Sequence, residues 1–138
     1  MVFACVAVFE LSAGFGFGAT QGRTELPRER AKPASIYLRR EFFVEQADRV
    51  TELGLMVDYR DGFVAYLNGR EVARQGIGRS SGRNAQKIKP REDAGVVYVQ
   101  LKDLSRSLKN GVNLLAIEVH AAPESIDLQI DPYLILED

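Results

Sequence analysis

Two glycine-bearing turn dipeptides, set close together among alternating apolar residues, constrain this chain more than any other feature. The stretch DYRDGFVAYLNGREVAR, 58–74, holds Asp61-Gly62 and Asn68-Gly69 between runs in which apolar and polar residues alternate. A period of two sends successive side chains to opposite faces of an extended chain, so the runs predict strands. Asn, Asp and Gly tolerate the positive φ that tight hairpin turns demand. The stretch is therefore expected to form a three-strand meander with both dipeptides as its turns. A slip of one residue would turn every apolar side chain outward, so the turns also set the register.

The same alternation recurs along the chain. In SIYLRREFFVE, 35–45, Ile36, Leu38, Phe42 and Val44 share one face with Arg40 as the exception, while Tyr37, Arg39, Glu41 and Phe43 share the other. TELGLMVDYR, 51–60, puts Leu53, Leu55, Val57 and Tyr59 together. VNLLAIEVH, 112–120, does so for Asn113, Leu115, Ile117 and Val119. VVYVQL, 96–101, is a further strand, and IDLQIDPYLILED, 126–138, is a closing strand with a kink at Pro132. EQADRV suits a turn or one helical turn, and KDLSRSLKNG a single helical turn stopped by Asn110-Gly111. Residues 21–33 and 76–95 lack periodicity and are expected to be loops, the second unusually long. Parallel strands need crossovers of a dozen or more residues, and none recurs here. The expectation is an all-β fold, a two-layer antiparallel β-sandwich with one apolar and one mixed face per sheet, formed as a single domain over 1–138. With 138 residues the chain can bury its own core without staples.

The opening MVFACVAVF is cut off by Glu10, too soon to span a bilayer, and it lacks a basic n-region. Residues 1–13 are therefore expected to be either an N-terminal strand or a vestigial signal, and no membrane insertion is expected. The formal net charge of -1 provides no field for nucleic acid. The loop cations Arg79, Arg83, Lys87, Lys89 and Arg91 have no interleaved aromatics, so no nucleic-acid partner is expected. A single cysteine, Cys5, excludes an internal disulfide framework and any multi-cysteine metal site.

His120 is the one histidine, and no serine is flanked by the glycines of a nucleophile elbow. A non-catalytic chain is expected, with His120 bonded to a loop. Carbohydrate recognition asks for exposed aromatic faces beside planar polar groups. There is no tryptophan, but Tyr37, Phe43, Tyr66, Tyr98 and Tyr133 are available. Tyr66 lies beside Asn68 and Arg70, and with Asp61 and His120 these form the candidate ligand-binding set.

The order of motifs resembles a family. IYLRREFFVE, LGLMVDYRDGFVAYLNGREVAR, SRSLKNGVNLLAIEVH and SIDLQID follow one another as in bacterial modules of the galactose-binding-domain-like superfamily. The resemblance takes in the Tyr-Leu-Asn-Gly hairpin, the Leu-x-x-Gly-x-Asn turn, Glu-Val-His and an Asp-rich closing strand. AGFGFG is similar to the glycine-aromatic stretch near the start of such domains. Arg60 stands where many relatives carry an acidic residue. The resemblance implies a jelly-roll sandwich acting as an accessory module of exported proteins, extracellular or at the cell surface; members of this fold bind sugars, lipids or proteins or only support a neighbour, and carbohydrate is the ligand expected here. Many modules of this superfamily hold one structural calcium, and Asp58, Glu118 and Asp127 are the candidate ligands for one here, although no regular metal-loop spacing supports the site directly. The alternative is a structural or protein–protein interaction domain that pairs through a sheet edge or face, as a homo-oligomer or with a strand-sharing partner.

Overall fold

The computed structural model describes residues 6–10, 15–17, 24–25, 35–78, 88, 91–93, 95–122 and 128–138. They form β1 (Val6–Glu10), β2 (Phe15–Phe17), β3 (Thr24–Glu25), β4 (Ser35–Val44), β5 (Glu52–Tyr59), β6 (Gly62–Leu67), β7 (Arg70–Gln75), β8 (Val97–Gln100), β9 (Gly111–His120) and β10 (Leu128–Glu137). A 3-10 turn, Ala47–Arg49, follows β4, and a one-turn helix α1, Leu104–Ser107, precedes β9. The first sheet runs β3-β2-β10-β5-β8, with β1 also on β10; the second runs β4-β9-β6-β7. Every pairing is antiparallel except the short parallel β2–β3 contact. Among the described residues no helix is long and apolar enough to cross a membrane.

The two sheets pack through the faces that alternation marks as apolar. Leu53, Leu55, Val57, Ile130 and Leu134 from the first sheet meet Phe42, Phe63, Leu67, Leu115, Ile117 and Val119 from the second in one core. Each large aliphatic side chain taken out of water there stabilises the fold by about 2 kcal/mol. This is an all-β sandwich.

One expected turn is a corner instead. β5 belongs to the first sheet and β6 to the second, so Arg60, Asp61 and Gly62 carry the chain between layers and Asp61-Gly62 is no hairpin. Gly62 is required for closeness rather than for positive φ. A Cβ on it would lie 2.6 Å from the Ile77 side chain and 3.0 Å from the Gln75 carbonyl oxygen. Tyr59 and Phe63, on either side of the corner, meet edge to face at 5.0 Å between ring centroids. Local sequence identifies a bend here, but the choice between hairpin and corner lies with the long-range pairing of β5 to β10.

Asn68-Gly69 does close a hairpin. Both residues have positive φ, 50° and 83°, as a tight turn between twisted strands demands. The Asn68 side chain adds tertiary anchorage: its amide donates to the Ser107 carbonyl (2.7 Å) and to Asn113 Oδ1 (2.8 Å), while its Oδ1 accepts from Leu114 N (2.9 Å). Asn113, fully buried on the inner face of β9, also accepts from Lys109 N and donates to the carbonyls of Lys109 and Gly111. One amide side chain thereby satisfies the loop between α1 and β9 and ties it to the hairpin, which is why a polar residue is tolerated among Leu115, Ile117 and Val119.

β10 runs without interruption through Pro132, where a kink was expected. β5 pairs with it from Ile130 to Glu137, while on its other side β2 covers Leu128 to Ile130 and β1 takes over from Tyr133. Among the described residues neither β2 nor β1 pairs with Asp131 or Pro132, which suits an imino acid inside an interior strand. Of the long loop, Ile77 bridges to Ile88, and Arg91 N–H bonds to the Arg60 carbonyl.

Asn113→Ala is expected to cost roughly 2–4 kcal/mol, because it leaves several buried backbone groups unpaired. Val112→Ala, at the neighbouring exposed position, is expected to cost less than about 0.5 kcal/mol. Urea unfolding of both variants checks the contrast; equal losses would show that Asn113 is not the organising contact.

Candidate functional site

The outer face of the second sheet gathers polar and aromatic groups by register alone. On β9, Glu118 and His120 are two residues apart and so share that face. His120 Nε2 lies 2.7 Å from Glu118 Oε1. The Tyr66 hydroxyl donates to the other carboxylate oxygen, Oε2, at 3.3 Å. Directly opposite Glu118 on β4 stands Tyr37, with 68% of its surface exposed. On the other side of Glu118 the row continues through Val64 of β6 to Arg74 of β7.

A β-bulge completes the row. The pairing shifts between Ala65↔Ala73 and Tyr66↔Glu71, leaving Val72 as the extra residue. Residues three apart on a regular strand face opposite ways; with Val72 inserted, Glu71 and Arg74 land on the same face. The Arg74 guanidinium then forks onto Glu71, with Nε and Nη2 each 3.0 Å from a carboxylate oxygen. The bulged residue is used as well, since the Val72 carbonyl accepts from Lys102 N at 2.9 Å.

Burial pushes the Tyr66 phenol above its ordinary pKa, and the charge of Glu118, the bond to it and the charge of Glu71 push the same way against Arg74. Arg74 is held more firmly protonated chiefly by its bond to Glu71. The result is a fixed set of planar hydrogen-bonding groups (carboxylate, guanidinium, imidazole and phenol) beside one open aromatic ring.

The structure sorts the residues expected from sequence. Tyr66 and His120 come together, joined through Glu118, a strand neighbour on the same face as His120. Asn68 and Asp61 are structural. Asp61 is buried and its Oδ2 accepts from Ala122 N at 2.9 Å, pinning the segment that leaves β9. Arg70 is exposed opposite Leu67 at the hairpin end, outside the hydrogen-bonded cluster. The calcium set does not converge. Asp58 lies on the outer face of the first sheet, opposite Asp131 and 3.7 Å from Arg91, whereas Glu118 faces out from the second. Asp127 lies outside the described residues. Among the described residues no group of three or more His, Cys, Asp or Glu side chains could hold a metal ion.

Arg91 is the one loop cation within the described residues, and it is structural. It sits 4.6 Å over the Tyr59 ring and donates to the carbonyls of Tyr59 and Gly95. The other exposed tyrosine, Tyr98 of β8, lies across Gly54 and donates to Glu52. Burial, then Glu52 and Glu137, push its phenol up to about 12.

Tyr37, one of the five available aromatics, Glu71, which neighbours Arg70, and Arg74, which sequence does not single out, complete the site outside the candidate ligand-binding set. Alternation already assigned Tyr37 to the mixed face of its strand. What sequence did not contain was the register that sets it against Glu118, or the bulge that brings Glu71 and Arg74 to one side.

Glu118→Gln is expected to lower the Tyr66 pKa toward that of free tyrosine, since the carboxylate's charge and its hydrogen bond both favour the protonated phenol. NMR titration of ring-labelled tyrosine reads this directly; a Tyr66 pKa unmoved by the substitution would remove Glu118 from the centre of the site.

Set beside known proteins, the chain matches no family model and no curated protein.

Proposed function

We propose that this chain is a non-catalytic binding module that takes carbohydrate on the outer face of its four-stranded sheet. The observation that carries this is the cross-strand juxtaposition of an open tyrosine ring, Tyr37, with the hydrogen-bonded Tyr66–Glu118–His120 group. A pyranose presents an apolar face that stacks on such a ring and an equatorial edge of hydroxyls. Glu118 and Glu71 accept from hydroxyls, Arg74 donates to them, and all three are already held by neighbours, so little side-chain entropy is lost on binding. Tyr37 is exposed while Tyr66, Glu118, Glu71 and Arg74 are half-buried, which favours a glycan laid across the ring and sets a modest affinity.

The motif resemblance described above supports the same reading. On it the sandwich is a jelly roll of galactose-binding-domain-like type, an accessory module working outside the cell. The calcium that such modules carry has no converging ligands among Asp58 and Glu118, so recognition here is assigned to side chains alone.

A glycan array screened with the purified chain, followed by calorimetry on the best ligand, tests the proposal. Tyr37→Ala is expected to weaken binding about tenfold, equivalent to losing one stacking contact of about 1.4 kcal/mol. Glu118→Gln is expected to weaken it to a similar degree, and Tyr133→Ala, on the other sheet, to leave it unchanged. Absence of any glycan ligand, or a ligand indifferent to Tyr37 and Glu118, would overturn it.

A further inference from the structure

We propose that two copies of this chain associate through β4, edge to edge and antiparallel, about a twofold axis at Arg40. This goes beyond the carbohydrate reading and does not rest on it.

Among the described residues β9 is the only strand partner of β4, which leaves β4 at the sheet edge. The direction of its backbone groups follows from β9. Leu114 is tied to the β6 side, its carbonyl accepting from Asn68 N and its N–H donating to Asn68 Oδ1. Alternate residues of β9, including Asn113 and Leu115, therefore point toward β4 and bond the residues opposite, Phe42 and Arg40. Tyr37, Arg39, Glu41 and Phe43 consequently direct their N–H and C=O groups away from the sheet. The row of edge groups and the row of outer-face side chains belong to the same four residues.

Those residues are self-complementary about Arg40. Antiparallel pairing with a second copy, centred there, sets Arg39 opposite the other copy's Glu41, and Tyr37 opposite its Phe43. Symmetry repeats each pair. Arg39 and Glu41 are exposed, and the rings of Tyr37 and Phe43 are 68% and 66% exposed. Opposite charges and aromatic pairs are the cross-strand neighbours that stabilise a ladder. Registers two residues to either side lose the charge match: one sets Arg39 against itself, the other Glu41 against itself.

Arg40 meets its own copy at the axis. It lies on the inner side of β4 yet is solvent-exposed, so the like charges can splay into water. An inward charge on an edge strand limits indiscriminate pairing, and here it makes the association weak and reversible. Because residues of equal parity are paired, the outer faces of both copies turn the same way in a continuous sheet. Two copies of the Tyr37–Glu118 row then lie on one surface, where a repeating glycan could engage both.

Sedimentation equilibrium across a wide concentration range tests the proposal, with a mass expected to rise toward that of a dimer. Arg39→Glu is expected to weaken association about tenfold or more, and the double variant Arg39→Glu with Glu41→Arg to restore it. Arg40→Val is expected to tighten it. In a Cys5→Ser background, Arg40→Cys is expected to form a disulfide-linked dimer on mild oxidation, since residues facing across this axis approach to about 4.5 Å between Cα atoms. Arg39→Cys, displaced from its own copy in this register, should not. These side chains are exposed, and circular dichroism confirms that each variant folds. A monomer at every concentration, a dimer indifferent to Arg39 and Glu41, or cross-linking at position 39 in preference to 40 would each overturn it.

Discussion

The arrangement of this molecule depends on the register of β9, which is paired along its length with β4 on one side and across most of it with β6 on the other. Its inner residues supply the middle of the core, and its outer residues supply Glu118 and His120. Register on both sides decides what stands next to them: Tyr37 on one strand, Val64 and then Arg74 beyond it on the other. A shift of one residue would empty the core and dismantle the outer row together. Stability and site geometry are therefore properties of the same ladder. The Asn113 cluster guards it, because it anchors the start of β9 to both the hairpin and the preceding loop.

Much of the fold was legible in sequence because it rests on short-range rules. Period-two alternation located the strands and their inner residues, and the dipeptide Asn68-Gly69 announced a turn whose backbone needs positive φ. Asp61-Gly62 carried an equally clear bend signal and was misassigned, for a reason that is not local. A hairpin and an inter-sheet corner both need a compact bend. Whether β6 returns alongside β5 or crosses to β9 depends on β10, some seventy residues further on. Pro132 is a similar case: among the described residues its place falls between the stretches of β10 that β2 and β1 cover, which no window around residue 132 contains.

The site was legible only in part. Tyr66 and His120 could be singled out as residue types suited to binding, but the group that connects them, Glu118, enters from sequence only as a candidate metal ligand. Asn68 and Asp61 looked like binding groups because side-chain amides and carboxylates near turns serve either purpose. Burial separates the two roles. Asp61 is enclosed and pins Ala122 N through Oδ2, while Asn68 spends its amide on Ser107 and Asn113, so both side chains hold the fold together. Arg91 shows the same principle in the opposite direction, a loop cation drawn inward over an aromatic ring rather than held out to an anion.

The outer faces of the two sheets differ in a way that alternation alone does not dictate. On the first, Glu52 faces Glu137 and Asp58 faces Asp131 across β5 and β10, with Tyr98 laid over Gly54 and bonded to Glu52. Like charges placed opposite each other weaken a ladder, and here they are tolerated on a pair of strands whose inner residues are almost wholly buried. On the second sheet each carboxylate in the row has a hydrogen-bonding neighbour: Glu118 has Tyr66 and His120, and Glu71 has Arg74. Partnered groups hold their orientation without a ligand, and on this face the partners are a phenol, an imidazole and a guanidinium gathered along one row. Pre-set orientation is what makes a polar surface selective rather than merely wet, and it is the physical ground for proposing recognition on the four-stranded face.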